Sequence, residues 1–415
     1  MPRHFPANCP EHPVALATET VEVKYDITVI TPLLGGGAIP KTNDAVTLVR
    51  GPSVRGHLRF WWRATRGRSC RSAADLFEEE SRVWGSTAVA SNVRIDVVVT
   101  QTGRVLGAEA AGSCPKYVMF PFQPTDVAQS HVDVIFQLKM TLPAEMKDDA
   151  DAAVWAWTNF GGIGSRTRRG CGALFCAQTA PASEAVIADW WKKMQARCAG
   201  FDGASRGWPV LGPAAMVGPV QQSAQAVWIH LINQWQYFRQ QPGFARNKGG
   251  QRPGRSRWPE ADSLKAHTKQ AAYGHQDSIT IPDPQHAPAF PRAGLGLPIV
   301  FDFRPNREEL ANKGTLEPGD TERMASPFLL RPWKMTNGKV LPLVTPLYAP
   351  VPGALKYRFS KGATWDIPGG HTAYLRPDLA AYGGSPMNGL TQSGSAAEAF
   401  QNFLCLDRGF EVLGQ

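Results

Sequence analysis

Residues 50–71, RGPSVRGHLRFWWRATRGRSCR, hold seven arginines, one histidine and no acidic residue. Guanidinium groups at that density suit phosphate, because each presents a planar fork of N–H donors and keeps its charge at any physiological pH. A second stretch, GGIGSRTRRGCG at 161–172, sets five glycines around Ser165, Arg166, Arg168 and Arg169. Glycines such as Gly161 and Gly162 let a backbone lie close against phosphate while the arginines flank it. A third, GFARNKGGQRPGRSRW at 243–258, carries Arg246, Lys248, Arg252, Arg255 and Arg257 among four glycines, with Phe244 and Trp258 able either to stack on bases or to anchor the ends of the segment. For proton transfer the candidates are His57, inside the first stretch, and His275. Metal-independent RNA cleavage also needs a second proton-transfer group, and no partnered histidine is evident in the spacing.

The three stretches concentrate the charge of the whole chain. They contain fifteen of its 44 Lys and Arg and no acid, leaving 29 basic residues against 35 acidic ones elsewhere, although the net charge is +9. Basic segments far apart in sequence that could converge on one surface make nucleic acid the leading partner class. A chain of 415 residues, 43% apolar with 13 Trp and 19 Phe, is long enough for two domains with ample cores. It has no apolar run of membrane-spanning length and its first residues lack an apolar signal core, so a cytoplasmic protein is expected. Seven cysteines without framework spacing predict no disulfides. Cys9 and His12, with His4 nearby, lack the second ligand pair that zinc requires, and neither a metal nor a cofactor is expected.

The elements that position these residues follow from periodicity. Residues 1–18 read as an irregular arm, and Val21 to Thr31 alternates as a strand. Gly35, Gly36, Gly37 and Lys41 form a loop that leads past Arg50 into a helix from about Val54 to Thr65, with Ser53 as its N-cap. At 100° per residue Arg55, Arg59, Arg63 and Arg66 share one stripe, while Val54, Leu58, Trp61 and Thr65 share the neighbouring, buried one. A free cationic stripe is the expectation, so charge reversal at Arg59 should weaken RNA binding and leave the fold intact. Truncating Arg166, Arg168 and Arg169 together should likewise spare stability.

A short helix from Ala73 to Val83, a strand from Val93 to Thr100, a loop over 101–131, a strand from Val132 to Thr141, a helix from Lys147 to Phe160 and a strand from Cys171 to Gln178 complete a βαββαβ order. That order predicts a ferredoxin-like, RNA-recognition-motif-like domain over 19–180. Residues 181–415 read as a second α+β domain, with helices at 184–199, 223–239, 263–273 and 396–403. Strands at 297–303, 328–333 and 340–347 are expected to share its sheet.

The motifs ITPLLGGGAIP, RGPSVRGHLRFWWRATRG, WGST, NFGGIGSRTRRGCGAL, RPGRSRWPE, FPRAGLGLPIVF and ERMASPFLLRP occur in that order. Together they resemble the RAMP superfamily, and within it the first-numbered subunits of type III-B (Cmr) CRISPR effector complexes, over roughly residues 25–335. Leu34 stands where Phe is often seen, Cys171 where an aromatic is common, and the 101–131 segment is longer. The resemblance implies two ferredoxin-like domains and a subunit that binds RNA without cutting it. It would contact the 3′ region of the guide RNA, incoming target RNA, a backbone subunit and a small RAMP neighbour. The other reading is a RAMP-type endonuclease that processes guide RNA through His57.

Overall fold

The computed structural model describes residues 19–37, 39–44, 46–203, 206–240, 256–271, 281, 283–303, 312–381 and 385–414. Arg246, Lys248, Arg252, Arg255, Phe244, His275 and the Cys9/His12 pair lie outside the described residues.

In the N-terminal half, β1 (Thr20–Val29), α1 (Gly51–Thr65), α2 (Ala73–Trp84), β2 (Arg94–Gln101), β3 (Ile135–Pro143), α3 (Lys147–Phe160) and β4 (Leu174–Phe175) follow one another. The four strands form an antiparallel sheet in the order β2-β3-β1-β4. Alternation along β1 sends Tyr25, Ile27 and Val29 inward and leaves Glu22, Lys24 and Asp26 on the outer face. There Glu22 pairs with Lys24 and Lys139.

α1 begins at Gly51, earlier than expected, with Pro52 in the first turn, where a missing N–H costs nothing. Its N-cap is Arg50, which makes no side-chain cap; Ser53 lies within the helix. The 101–131 segment is not simply a loop. It holds three short helices, Ala108–Gly112, Lys116–Met119 and Pro124–Ala128, and a two-residue ladder of Arg104–Val105 with His131–Val132. The strand expected over Cys171–Gln178 is paired to β1 only at Leu174 and Phe175, because the glycines before it bend the chain away.

The C-terminal half places α4 (Ile187–Gln195), β5 (Ala215–Val217), α5 (Ala224–Gln240), α6 (Glu260–Thr268), β6 (Ile299–Phe301), β7 (Gly314–Pro318), β8 (Phe328–Lys334), β9 (Val340–Tyr348), β10 (Leu355–Phe359), β11 (Thr364–Ile367), α7 (Ala396–Arg408) and β12 (Glu411–Leu413) in order. Its main sheet runs β8-β9-β5-β12, and Val210–Leu211 pairs with the end of β9. The elements β5, α5, β8, β9, α7 and β12 repeat the βαββαβ order and the strand arrangement of the first sheet. Strand 299–301 does not join this sheet. It belongs to a separate sheet, β11-β10-β7-β6, inserted around β8 and β9. A short apolar run specifies a strand but not its neighbour, so the sequence could not separate the two sheets.

The layers stack as sheet, helices, sheet, helices. α3 is buried from Asp149 to Phe160, as expected of a helix with packing on all sides. Its Trp157 meets Phe136 of the first sheet, and Trp155 leads through Trp190 to Trp333 of the second. β8 and β9 are buried on both faces. Leu329, Trp333, Leu341 and Leu343 join the core of the first half, while Phe328, Leu330 and Val344 pack under α5 and α7. Such strands read as continuous apolar runs rather than alternations.

Candidate nucleic-acid interface

The arginines of α1 are committed to the protein itself. Arg55 donates to Trp84 O (3.2 Å), Ser91 Oγ (2.7 Å) and Val93 O (2.9 Å), tying α1 to the segment after α2. Arg59 Nε and Arg63 Nη1 both reach Glu80 Oε1, at 2.6 and 2.7 Å, and the Glu80 side chain is only 5% exposed. Arg66 Nε lies 3.2 Å from Asp149 Oδ1, which also accepts from Trp62 Nε1, and Arg66 Nη1 donates to Arg197 O. The expectation of a free cationic stripe is therefore corrected. The acids that answer it sit in α2 and α3, elements whose placement against α1 is a tertiary fact that an acid-free sequence window cannot reveal.

The arginines of the glycine segment are likewise turned inward. Arg166, in the left-handed region at φ 61°, donates Nε to Val118 O. Arg168 Nη1 donates to Ser326 O at 2.5 Å and its guanidinium lies 5.9 Å from the Phe60 ring centre. Arg169 donates to Phe328 O and stacks 4.5 Å over Trp235, while Trp228 Nε1 donates to Arg169 O. Desolvation, then the neighbouring Arg239, lowers the Arg169 pKa below the ordinary guanidinium range. Arg168 and Arg169 dock the C-terminal half onto the glycine segment and Arg166 ties it to residues 101–131, so truncating the three is expected to cost stability. Arg331, which sequence reasoning passed over inside an apolar strand, reaches the same segment from β8. It is buried and donates to Thr158 O (3.0 Å), Gly161 O (2.7 Å), Leu174 O and Pro332 O. Its only signal was a lone charge in FLLRPW.

The backbone of the segment closes against the first glycine loop. Ser165 N–H donates to Leu34 O (2.7 Å) and Gly172 N–H to Pro32 O (2.9 Å), drawing the two glycine loops together. Gly35 and Gly164 have φ of +63° and +83°, and a Cβ on Gly164 would stand 2.7 Å from Leu34 O, so only glycine fits there. Gly161 is also closed to a side chain, with Trp157 O and Trp61 Nε1 each 2.6 Å from a built Cβ. Gly162 lacks a positive φ, but its Cβ would meet Gly172 O at 2.9 Å.

Between the loops and the first turn of α1 lies a cleft of about 120 Å³ lined by Leu33, Gly35, Gly36, Leu48, Arg50, Ser53, His57, Ile163 and Gly164. No acid lines it. Arg50 Nη2 is held at its edge by Gly36 O at 2.7 Å, and the exposed Lys41, at φ 69°, stands on the loop beside Gly35. The nearby Asp44 carboxylate accepts from the Val46 and Thr47 amides and also feels the Arg50 charge. A helix N-terminus without a side-chain cap, glycine backbone and two cations make this the part of the molecule best suited to an anionic group.

His57 stacks on Trp157, with ring centres 5.9 Å apart and planes 12° from parallel, and desolvation lowers its pKa. It is neutral at physiological pH. Because its folded pKa lies below its unfolded one, the stability it contributes is complete above the unfolded value near 6.5 and is lost as pH falls from there through the lower folded value. A His57→Gln protein should therefore show a shallower loss of melting temperature below pH 6.5 than the native chain; parallel profiles would contradict this. No carboxylate or second histidine pairs with His57 among the described residues, and no cluster of His, Cys, Asp and Glu suited to a metal occurs among them. The six described cysteines are free. Trp258 is buried, donating Nε1 to Phe238 O, so it anchors the end of its segment; Arg257 beside it is half-buried.

Residues 26–175, the first sheet with its helices, match the family model of the RAMP superfamily. Curated relatives of this chain include two CRISPR system Cmr subunits of Pyrococcus furiosus. Cmr1-1 is 29% identical over 134 residues, covering 30% of this chain and 40% of that protein, and Cmr1-2 is 26% identical over 180 residues, covering 37% and 94%. The aligned part thus spans less than half the length of Cmr1-1. Among solved structures, apo Cmr1 from P. furiosus aligns with 80% of this chain and 88% of its own at 18% identity and a TM-score of 0.49. A chain of the type III-B Cmr-beta complex bound to cognate target RNA aligns with 80% and 96% at 11% identity and 0.48. No helix among the described residues is long and apolar enough to cross a membrane.

Proposed function

We propose that this protein is a non-catalytic, RNA-binding subunit of a type III-B CRISPR effector complex, built on two ferredoxin-like domains over residues 19–180 and 181–415. In this role it contacts the 3′ region of the guide RNA and the incoming target RNA, and packs against a backbone subunit and a small RAMP neighbour. Kinship with the Cmr1 subunits supports the assignment to a complex. The observation that carries the RNA reading is the acid-free cleft where Gly35, Gly36 and Gly164 meet the uncapped start of α1, with Lys41 and Arg50 beside it. Such a site takes a phosphate of a single strand through backbone N–H groups and two cations, and reads no base. Among the described residues His57, neutral and stacked, has no proton-transfer partner of the kind cleavage requires, which supports a role in which bound RNA stays intact.

Labelled single-stranded RNA incubated with the full chain should bind and remain uncut, with or without divalent metal. Affinity should fall with salt. A log K against log salt slope of about −0.7 per neutralised phosphate gives roughly −1.5 to −3 for two to four contacts. A slope near zero, or cleavage abolished by His57→Ala, would overturn the reading.

A further inference from the structure

The C-terminal half has its own candidate for contact with RNA, far in sequence from the cleft. Tyr237 on α5 stacks against Phe403 on α7, with ring centres 5.9 Å apart and planes 15° from parallel, and remains 38% exposed. The Arg408 guanidinium stands 5.0 Å from the Tyr237 centre and 4.8 Å from that of Phe403. Arg408 Nε has no hydrogen-bond partner, and among the described residues no ion pair holds this side chain, so the two rings set its position. This platform borders a pocket of about 290 Å³ whose polar lining also includes Arg257, Ser385, Asn388 and Asp407. Arg257 is the last basic residue of the 243–258 segment.

We infer that this pocket receives one unpaired nucleotide of a single-stranded RNA. The inference rests on the RNA-binding reading above and extends it to a second contact on the other domain. A bare anion site would exclude Asp407. A nucleobase instead needs a flat surface to stack on together with both donors and acceptors for its edge. The Tyr237 ring and the Arg408 guanidinium supply the first, and Asn388, Ser385 and Asp407 supply the second. Arg408, held only by the two rings among the described residues, stands beside the pocket for the adjoining phosphate. Two contacts on separate domains would hold one strand by avidity, so either alone is weaker than both.

The test uses the full chain and an oligouridylate carrying 4-thiouridine. Irradiation should crosslink the RNA to the peptide that contains Tyr237. Tyr237→Ala and Arg408→Glu should each weaken binding about tenfold, as loss of one stacked base does, with little change in melting temperature, while Tyr237→Phe keeps the platform and binds as the native chain does. If Tyr237→Ala and Arg408→Glu bind normally and no crosslink maps to Tyr237, while Lys41→Glu with Arg50→Glu abolishes binding, the cleft stands, this pocket falls as an RNA site, and a protein partner becomes its occupant. If the native chain binds no RNA, both readings fall. The crosslink is read on the native protein, so it decides the matter even where a variant folds poorly.

Discussion

An Arg331→Leu protein is expected to lose about 3–5 kcal/mol of unfolding free energy, because several buried carbonyls are left without their donor at once. The guanidinium is buried in the second sheet and donates to Thr158 O, Gly161 O, Leu174 O and Pro332 O. Leucine fills part of the volume but leaves those carbonyls without their donor in a place water does not reach, at roughly 1–3 kcal/mol for each group left unsatisfied. Lysine should rescue little, because a point charge on a flexible stem cannot serve acceptors spread around a planar fork. Two of these carbonyls flank the glycine segment, so Arg331→Leu should weaken RNA binding together with stability. Chemical denaturation checks the first effect. A loss below about 1 kcal/mol would mean that the carbonyls find other donors.

Arg59→Glu is the second substitution expected to act strongly. Arg59 and Arg63 share Glu80 Oε1, and the Glu80 side chain is almost wholly enclosed. Reversal at 59 would set a carboxylate against that buried carboxylate and leave Arg63 alone to neutralise both. A destabilisation of roughly 3 kcal/mol follows, near that of Trp61→Ala on the buried side of the same helix. Arg59→Gln, which keeps a donor and removes the repulsion, should cost about 1 kcal/mol. Unchanged melting of Arg59→Glu, paired with lost RNA affinity, would restore the free stripe that the sequence suggests.

These two residues show where sequence reading ends. The strand over Thr20–Val29 and the helix over Gly51–Thr65 were legible because their hydrophobic periods, 2 and 3.6, survive in the sequence, and Val54, Leu58, Trp61 and Thr65 are buried as that period requires. The same period put the four arginines on one face but could not say what lies opposite. Glu80 stands in DLFEEES, among acids that read as a solvated helix, and becomes the counter-ion of α1 only when α2 folds back on it. Arg331 was hidden for the converse reason, since one charge in an apolar strand carries no pattern. The cleft was half legible. The glycine trio and the 161–172 segment were visible separately, but their contact depends on backbone bonds such as Ser165 N–H to Leu34 O, which no side-chain pattern encodes.

The central claim is that RNA is held at the cleft by backbone and by Lys41 and Arg50, while the arginines of α1 hold the fold. It is tested most directly by fluorescence anisotropy of a labelled single-stranded RNA with two variants of equal net charge loss, Lys41→Gln with Arg50→Gln and Arg59→Gln with Arg63→Gln, each checked for native melting behaviour. The first should bind at least about tenfold more weakly than the native chain, a loss of about 1.4 kcal/mol, and the second within about twofold of it once its lower stability is allowed for. The reverse order, with the α1 pair carrying the affinity and the cleft pair indifferent, would contradict the account.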